Sequence, residues 1–116
     1  MINYADYSFY STTYKGSLSQ DLFNSLIGKA SREIDTYVNR EIKEVDLSNT
    51  EKNFGYKIKY TTCLMLDYIN AIKGTNGAVT TLVIDGVHKT MKSLSEINQD
   101  KQNIIKNLPH ELTRYL

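Results

Sequence analysis

Apolar residues recur along this chain at spacings of three and four over two long stretches, and bunch into strand-forming runs over one short one. The first long stretch, 19–43, carries Leu22, Phe23, Leu26, Ile27, Ala30, Ile34, Tyr37, Val38 and Ile42, the recurrence of a helix with one buried face. Arg32, Glu33, Arg40, Glu41 and Lys43 fall mainly off that face. Ser17 and Ser19 are both candidate N-caps, and Ser17 with Gln20 has capping-box spacing. Gly28 sits mid-helix at a cost of about 1 kcal/mol relative to alanine, which close packing against a neighbour would explain. A polar link at 44–50 leads to a second long helix, reaching about residue 73. Ile58, Thr62, Met65, Ile69 and Ile72 form its stripe, and Cys63, Leu66 and Tyr68 broaden it. Gly55 makes its first turn doubtful and Gly74 stops it.

Three shorter segments complete the pattern. At 3–14, Tyr4, Tyr7, Tyr10 and Tyr14 stand at helical spacing beside Phe9, which predicts a short helix capped by Asn3 and closed by Gly16. After a loop at 74–77, Val79–Ile84 and Val87–Met91 flank Asp85-Gly86, a two-residue turn signal that predicts a β-hairpin. An isolated hairpin is marginal in water, so it must pack on the helices or pair elsewhere. Residues 95–108 read as a helix capped by Ser95, with Ile97, Ile104, Ile105 and Leu108 apolar. Pro109 then opens a last turn that ends in Leu112, Tyr115 and Leu116, an apolar end that should dock on a core or a partner. The expected architecture is mainly α, a single domain over 1–116. It is a small helical bundle with two long antiparallel helices, a short N-terminal helix, a β-hairpin and a C-terminal helix.

Composition narrows the function mostly by exclusion. Formal net charge is +1, so there is no bulk polycation for nucleic acid or an anionic membrane. No apolar run is long enough to span a bilayer, and the N-terminus lacks a signal-peptide pattern. Cys63 is the only cysteine, which rules out an internal disulfide and suits a reducing cytosol. It reads as a small buried hydrophobe rather than a nucleophile. His88 and His110 lack metal-site spacing, and no phosphate-binding glycine motif occurs. Glu33 and Asp35 point to different sides of their helix, and Asp67, on an otherwise apolar helix, reads as solvent-facing. No catalytic residue, metal site or cofactor site is expected. Lysines 52, 57 and 59, and 89, 92, 101 and 106, read as solvated faces, with weak contact to DNA phosphates as the functional alternative. Nine tyrosines without a tryptophan are the compositional oddity, since tyrosine suits interfaces as well as half-buried packing.

The run YADYSFYSTTYKG, followed by SLSQDLFNSLIGKASREIDTYVNREI, resembles the head–tail connector (adaptor) proteins of tailed phages and prophages. The carrying features are the tyrosine segment with its glycine turn, Asp21 paired with Phe23, and the stretch Ala30-Ser31-Arg32-Glu33-Ile34-Asp35. A second helix, an irregular or hairpin segment and a C-terminal helix ending near a Tyr-Leu pair complete the likeness over nearly the whole chain. The resemblance implies a virion structural protein at the head–tail junction, made in the host cytoplasm. It would form a homo-oligomeric ring of about a dozen copies with heterologous interfaces. Its partners would be the portal protein, a downstream head-completion or tail protein, and passing double-stranded DNA without sequence specificity. No membrane is implied. On this reading Val79, Thr81, Val83, Asp85, Gly86, Val87 and Lys89 contact a neighbour or the lumen. Pro109, Leu112, Arg114, Tyr115 and Leu116 contact the portal or a neighbour. Tyr4, Tyr7, Tyr10 and Tyr14 pack on the long helices or the adjacent subunit. Alternatives are a tail-completion or phage-tail-like bacteriocin component and, further off, a small helical DNA-binding regulator, although no helix has a clear basic face.

Overall fold

In the computed structural model, residues 2–72 and 94–113 are described. They are mainly helical, with no strand among the described residues. Helix α1 spans Gln20–Asp35, α2 Glu44–Leu47, α3 Phe54–Ile72, α4 Leu94–Ile105 and α5 His110–Thr113. A π-helical turn, Phe9–Thr13, precedes α1, and a 3-10 turn, Glu51–Asn53, leads into α3. The predicted hairpin and its seven site residues lie outside the described residues, as do Arg114, Tyr115 and Leu116.

The long helices α1 and α3 pack on each other, and among the described elements α2, α4 and the two short turns lean on α3. From α1 come Phe23, Leu26, Ile27, Ala30 and Ile34; from α3 come Ile58, Met65, Leu66 and Ile69, all buried. Burying side chains of this size stabilises by about 1.5–3 kcal/mol each before entropy is counted. Thr61 and Thr62 are buried too, and each returns its hydroxyl to the carbonyl four residues back, which satisfies it inside the helix. Helix α4 is held by Ile97 and Ile105, by Lys101 to Glu33 of α1 at 3.0 Å and by Tyr68 of α3 to Asp100 at 2.9 Å. Lys101 is therefore a cross-helix tie and not part of a freely solvated face.

Several predicted boundaries move, each for a local reason. Helix α1 ends at Asp35 rather than 43. Thr36 turns its hydroxyl back to Glu33, and Asn39 is captured by α5, its N–H donating to the Leu112 carbonyl at 2.9 Å. The periodic Tyr37, Val38 and Ile42 thus come from a turn, though Ile42 is still buried. The supposed polar link contains α2. Asp46 accepts the Lys43 N–H at 2.8 Å and takes both terminal nitrogens of Arg40 at 3.0 and 3.1 Å. That bidentate partner holds the Asp46 carboxyl below its ordinary pKa. Ser19, not the Ser17 pair, caps α1, accepting from the Leu22 N–H. Asp6, not Asn3, caps the first turn by accepting the Phe9 N–H at 2.8 Å, so Tyr4 lies ahead of the helical turn. Ser95 lies inside α4, which runs from Leu94 among the described residues.

Two glycines are dictated by close approach. A Cβ at Gly16 would run into the Tyr10 ring, and one at Gly55 into the Leu47 carbonyl. The left-handed residue of the first turn is Lys15, with φ 63°. Gly28 has no such neighbour, the nearest atom being Asn3 Oδ1 at 3.9 Å, so close packing does not explain it.

Candidate interaction surfaces

The tyrosines predicted to pack do so on this chain's own helices, and their hydroxyls explain how. Tyr10 is fully buried. Its hydroxyl donates to Asp67 Oδ1 at 2.8 Å and accepts the Leu18 N–H at 3.2 Å. Tyr14 donates to the other oxygen of the same carboxylate at 2.7 Å. Asp67 is therefore the acceptor for two tyrosines across the α3 surface, which corrects its reading as a solvent-facing residue. Tyr7 donates to the Leu18 carbonyl at 3.1 Å. Tyr4 is buried, its N–H on Ser31 Oγ at 3.0 Å and its hydroxyl on Asp35. Arg32 lies over the Tyr4 ring, 5.5 Å from its centre, while bonding Asp35 and the Ile2 carbonyl.

Burial and neighbouring carboxylates act together on these phenols. Desolvation, then the bond to Asp35 and its charge, pushes Tyr4 up to about 12. Desolvation and Asp67 push Tyr10 up to about 12 as well. Tyr14 and Tyr68 rise further, by burial first and then by Asp67 and Asp100 respectively. All four are held as neutral donors. The Cys63 thiol, buried beside them, is pushed up to about 12 by desolvation first and the Asp67 charge second. It is a packing residue with no thiolate character at neutral pH.

The rings form a continuous ladder running outward from the core. Tyr7, Tyr10 and Tyr14 follow one another at 6.0 and 5.4 Å, Tyr14 meets Tyr60 at 5.2 Å, and Tyr60 meets Tyr56 at 5.9 Å. Phe9 closes on Tyr56 at 5.6 Å. The ladder surfaces at Tyr56, which is 46% exposed. The sequence pattern did not single out Tyr56, and its i, i+4 relation to Tyr60 was the available signal.

Among the described residues, three concavities border α2. One of about 930 Å³ is lined by Ile2, Tyr4, Val38, Ile42 and Val45 among others. A second of about 670 Å³ lies between the tyrosine segment, α1 and α2. The third, of about 210 Å³, is lined by Phe9, Thr50, Asn53, Tyr56 and Lys59 among others. Val45 is the most exposed large apolar residue described, at 70%. No group of three or more His, Cys, Asp or Glu gathers in metal-binding geometry among the described residues. No described helix is long and apolar enough to cross a membrane.

Of the predicted portal or neighbour contacts, Pro109 and Leu112 are buried, Leu112 completely, in this chain's own core. The apolar end thus docks on a core as far as Thr113. Comparisons with protein-family models, curated proteins and solved structures find no match to this chain.

Proposed function

We propose that this chain is a structural subunit of a tailed-phage head–tail connector, assembling as a ring beneath the portal. In that role it extends the DNA channel and presents a platform to the next connector or tail protein. The observation that carries this reading is that the two stretches on which the resemblance stands are each other's packing partners. Tyr4 of the tyrosine segment bonds Ser31 and Asp35 of the Ala30–Asp35 stretch, and Arg32 stacks on its ring. Tyr7 and Tyr10 lie on Phe23 at 5.5 and 5.2 Å, and Gly16 is required by the Tyr10 ring.

The predicted hairpin at 79–91 fits this role as the element that reaches a neighbour or the lumen. Arg114, Tyr115 and Leu116 are the part of the C-terminal segment left to contact the portal, since Leu112 belongs to the core. Near-neutral charge suits a channel that must pass DNA without holding it. The test is electron microscopy of the chain mixed with its portal. A ring of this protein at the portal's tail-facing end is the expected image. Portals that stay bare at micromolar chain concentration would end the proposal.

A further inference from the structure

We infer that the surface around the N-terminal end of α3 is a contact site for the phosphate backbone of double-stranded DNA. The inference deepens the channel reading by naming a face for DNA. Tyr56 stands exposed between two lysines. At about 100° per residue, Lys57 lies to one side of it on the helix and Lys59 to the other. Lys52 precedes them in the turn that feeds α3. There the chain adopts two successive left-handed residues, Lys52 at φ 52° and Asn53 at φ 59°, both exposed. None of these three lysines forms an ion pair with a described residue, in contrast to Lys101, Arg32 and Arg40. Lys59 instead rests over the Phe9 ring at 5.7 Å, beside the 210 Å³ cavity that also holds Thr50, Asn53 and Tyr56.

The donor set matches a phosphate ester and nothing more specific. Lysine supplies charge without fixed geometry, and tyrosine, threonine and asparagine supply the hydrogen bonds that proteins commonly give to phosphate oxygens. No arginine lies in the patch, so bidentate reading of a base edge is missing. Among the described residues, no acid lines the 210 Å³ cavity; Glu51 is exposed in the adjoining turn, and Asp6 and Glu44 share the neighbouring 670 Å³ concavity with Lys59. Such a patch holds DNA weakly per subunit, as a channel that must let DNA pass requires.

The test is fluorescence anisotropy of a labelled DNA duplex titrated with the full chain at low salt, repeated at rising salt. Three lysines predict a slope of log affinity against log salt of about −2 to −3. Lys57→Glu with Lys59→Glu should weaken binding at least tenfold and flatten the slope by about two. Lys29→Glu with Lys106→Glu, both exposed and outside the patch, makes the same change in net charge and should leave the slope nearly unaltered. Wild-type chain that leaves the duplex unbound at low salt, or equal losses in the two double variants, would overturn the inference. Tighter, salt-insensitive binding to a single-stranded oligonucleotide would also overturn it, since stacking on Tyr56 would then carry the affinity. Circular dichroism establishes that each variant is folded. The measurement needs no portal, so its outcome is separate from that of the ring.

Discussion

Tyr10 and Asp67 lie 57 positions apart in sequence and meet at 2.8 Å, a buried phenol on a half-buried carboxylate. The same carboxylate takes Tyr14, so one side chain of α3 holds both ends of the π-helical turn. Replacing it with Asp67→Ala strands two hydroxyls, one of them fully buried. The expected loss is about 2–3 kcal/mol in urea unfolding, because an unpaired buried donor bears its full desolvation cost. Asp67→Asn retains one acceptor oxygen and should lose less. Equal stability of Asp67→Ala and wild type would show that the two bonds contribute nothing net.

Alkaline pH should unfold this chain earlier than its core alone would suggest. Tyr4 and Tyr10 are raised to about 12 from an ordinary 10, and Tyr14 and Tyr68 are raised as well. The unfolded chain releases these protons near pH 10 while the folded chain keeps them. Stability is thus fully present below pH 10 and falls as pH rises through about 12. Tyrosinate absorbance should rise in two waves, the second coincident with loss of helical circular dichroism. A single wave near pH 10 with the helices intact would contradict the burial of these hydroxyls.

Cys63 should be silent toward thiol reagents in the folded state. It is fully buried, and burial raises its pKa to about 12. At pH 8 a disulfide reagent should label it only on addition of urea, at a rate limited by opening of the chain. Complete labelling within seconds in native buffer is the contrary result.

The glycines should separate cleanly by substitution. Gly16→Ala sets a methyl group against the Tyr10 ring and should cost about 1–3 kcal/mol, as overpacking does. Gly28→Ala sets one into space within α1 and should stabilise by about 0.5–1 kcal/mol, through helix propensity and a less flexible unfolded chain. Thermal melts of the two variants should therefore move in opposite directions. A shift of the same sign in both would refute the placement of the Tyr10 ring.

Read by itself, the amino-acid pattern determined the helical class, the two principal helices and their buried faces. Those depend on apolar periodicity, which the core positions from Phe23 to Ile34 follow and those from Ile58 to Ile69 follow with Cys63 and Leu66 widening the stripe. It also marked the tyrosine segment as packed, because four large side chains at helical spacing must cover something. Tertiary structure decided what local pattern does not carry. The apolar spacing continues through Tyr37, Val38 and Ile42, yet α1 stops at Asp35 because the Leu112 carbonyl, 73 positions beyond Asn39, takes that residue's N–H. The acceptor for Tyr10 and Tyr14 was invisible for the same reason. An aspartate on a helix looks like a solvated residue until a distant segment lays two hydroxyls on it. Exposure at Val45 and Tyr56 belongs to this second category, since a side chain's freedom depends on what the rest of the chain leaves uncovered.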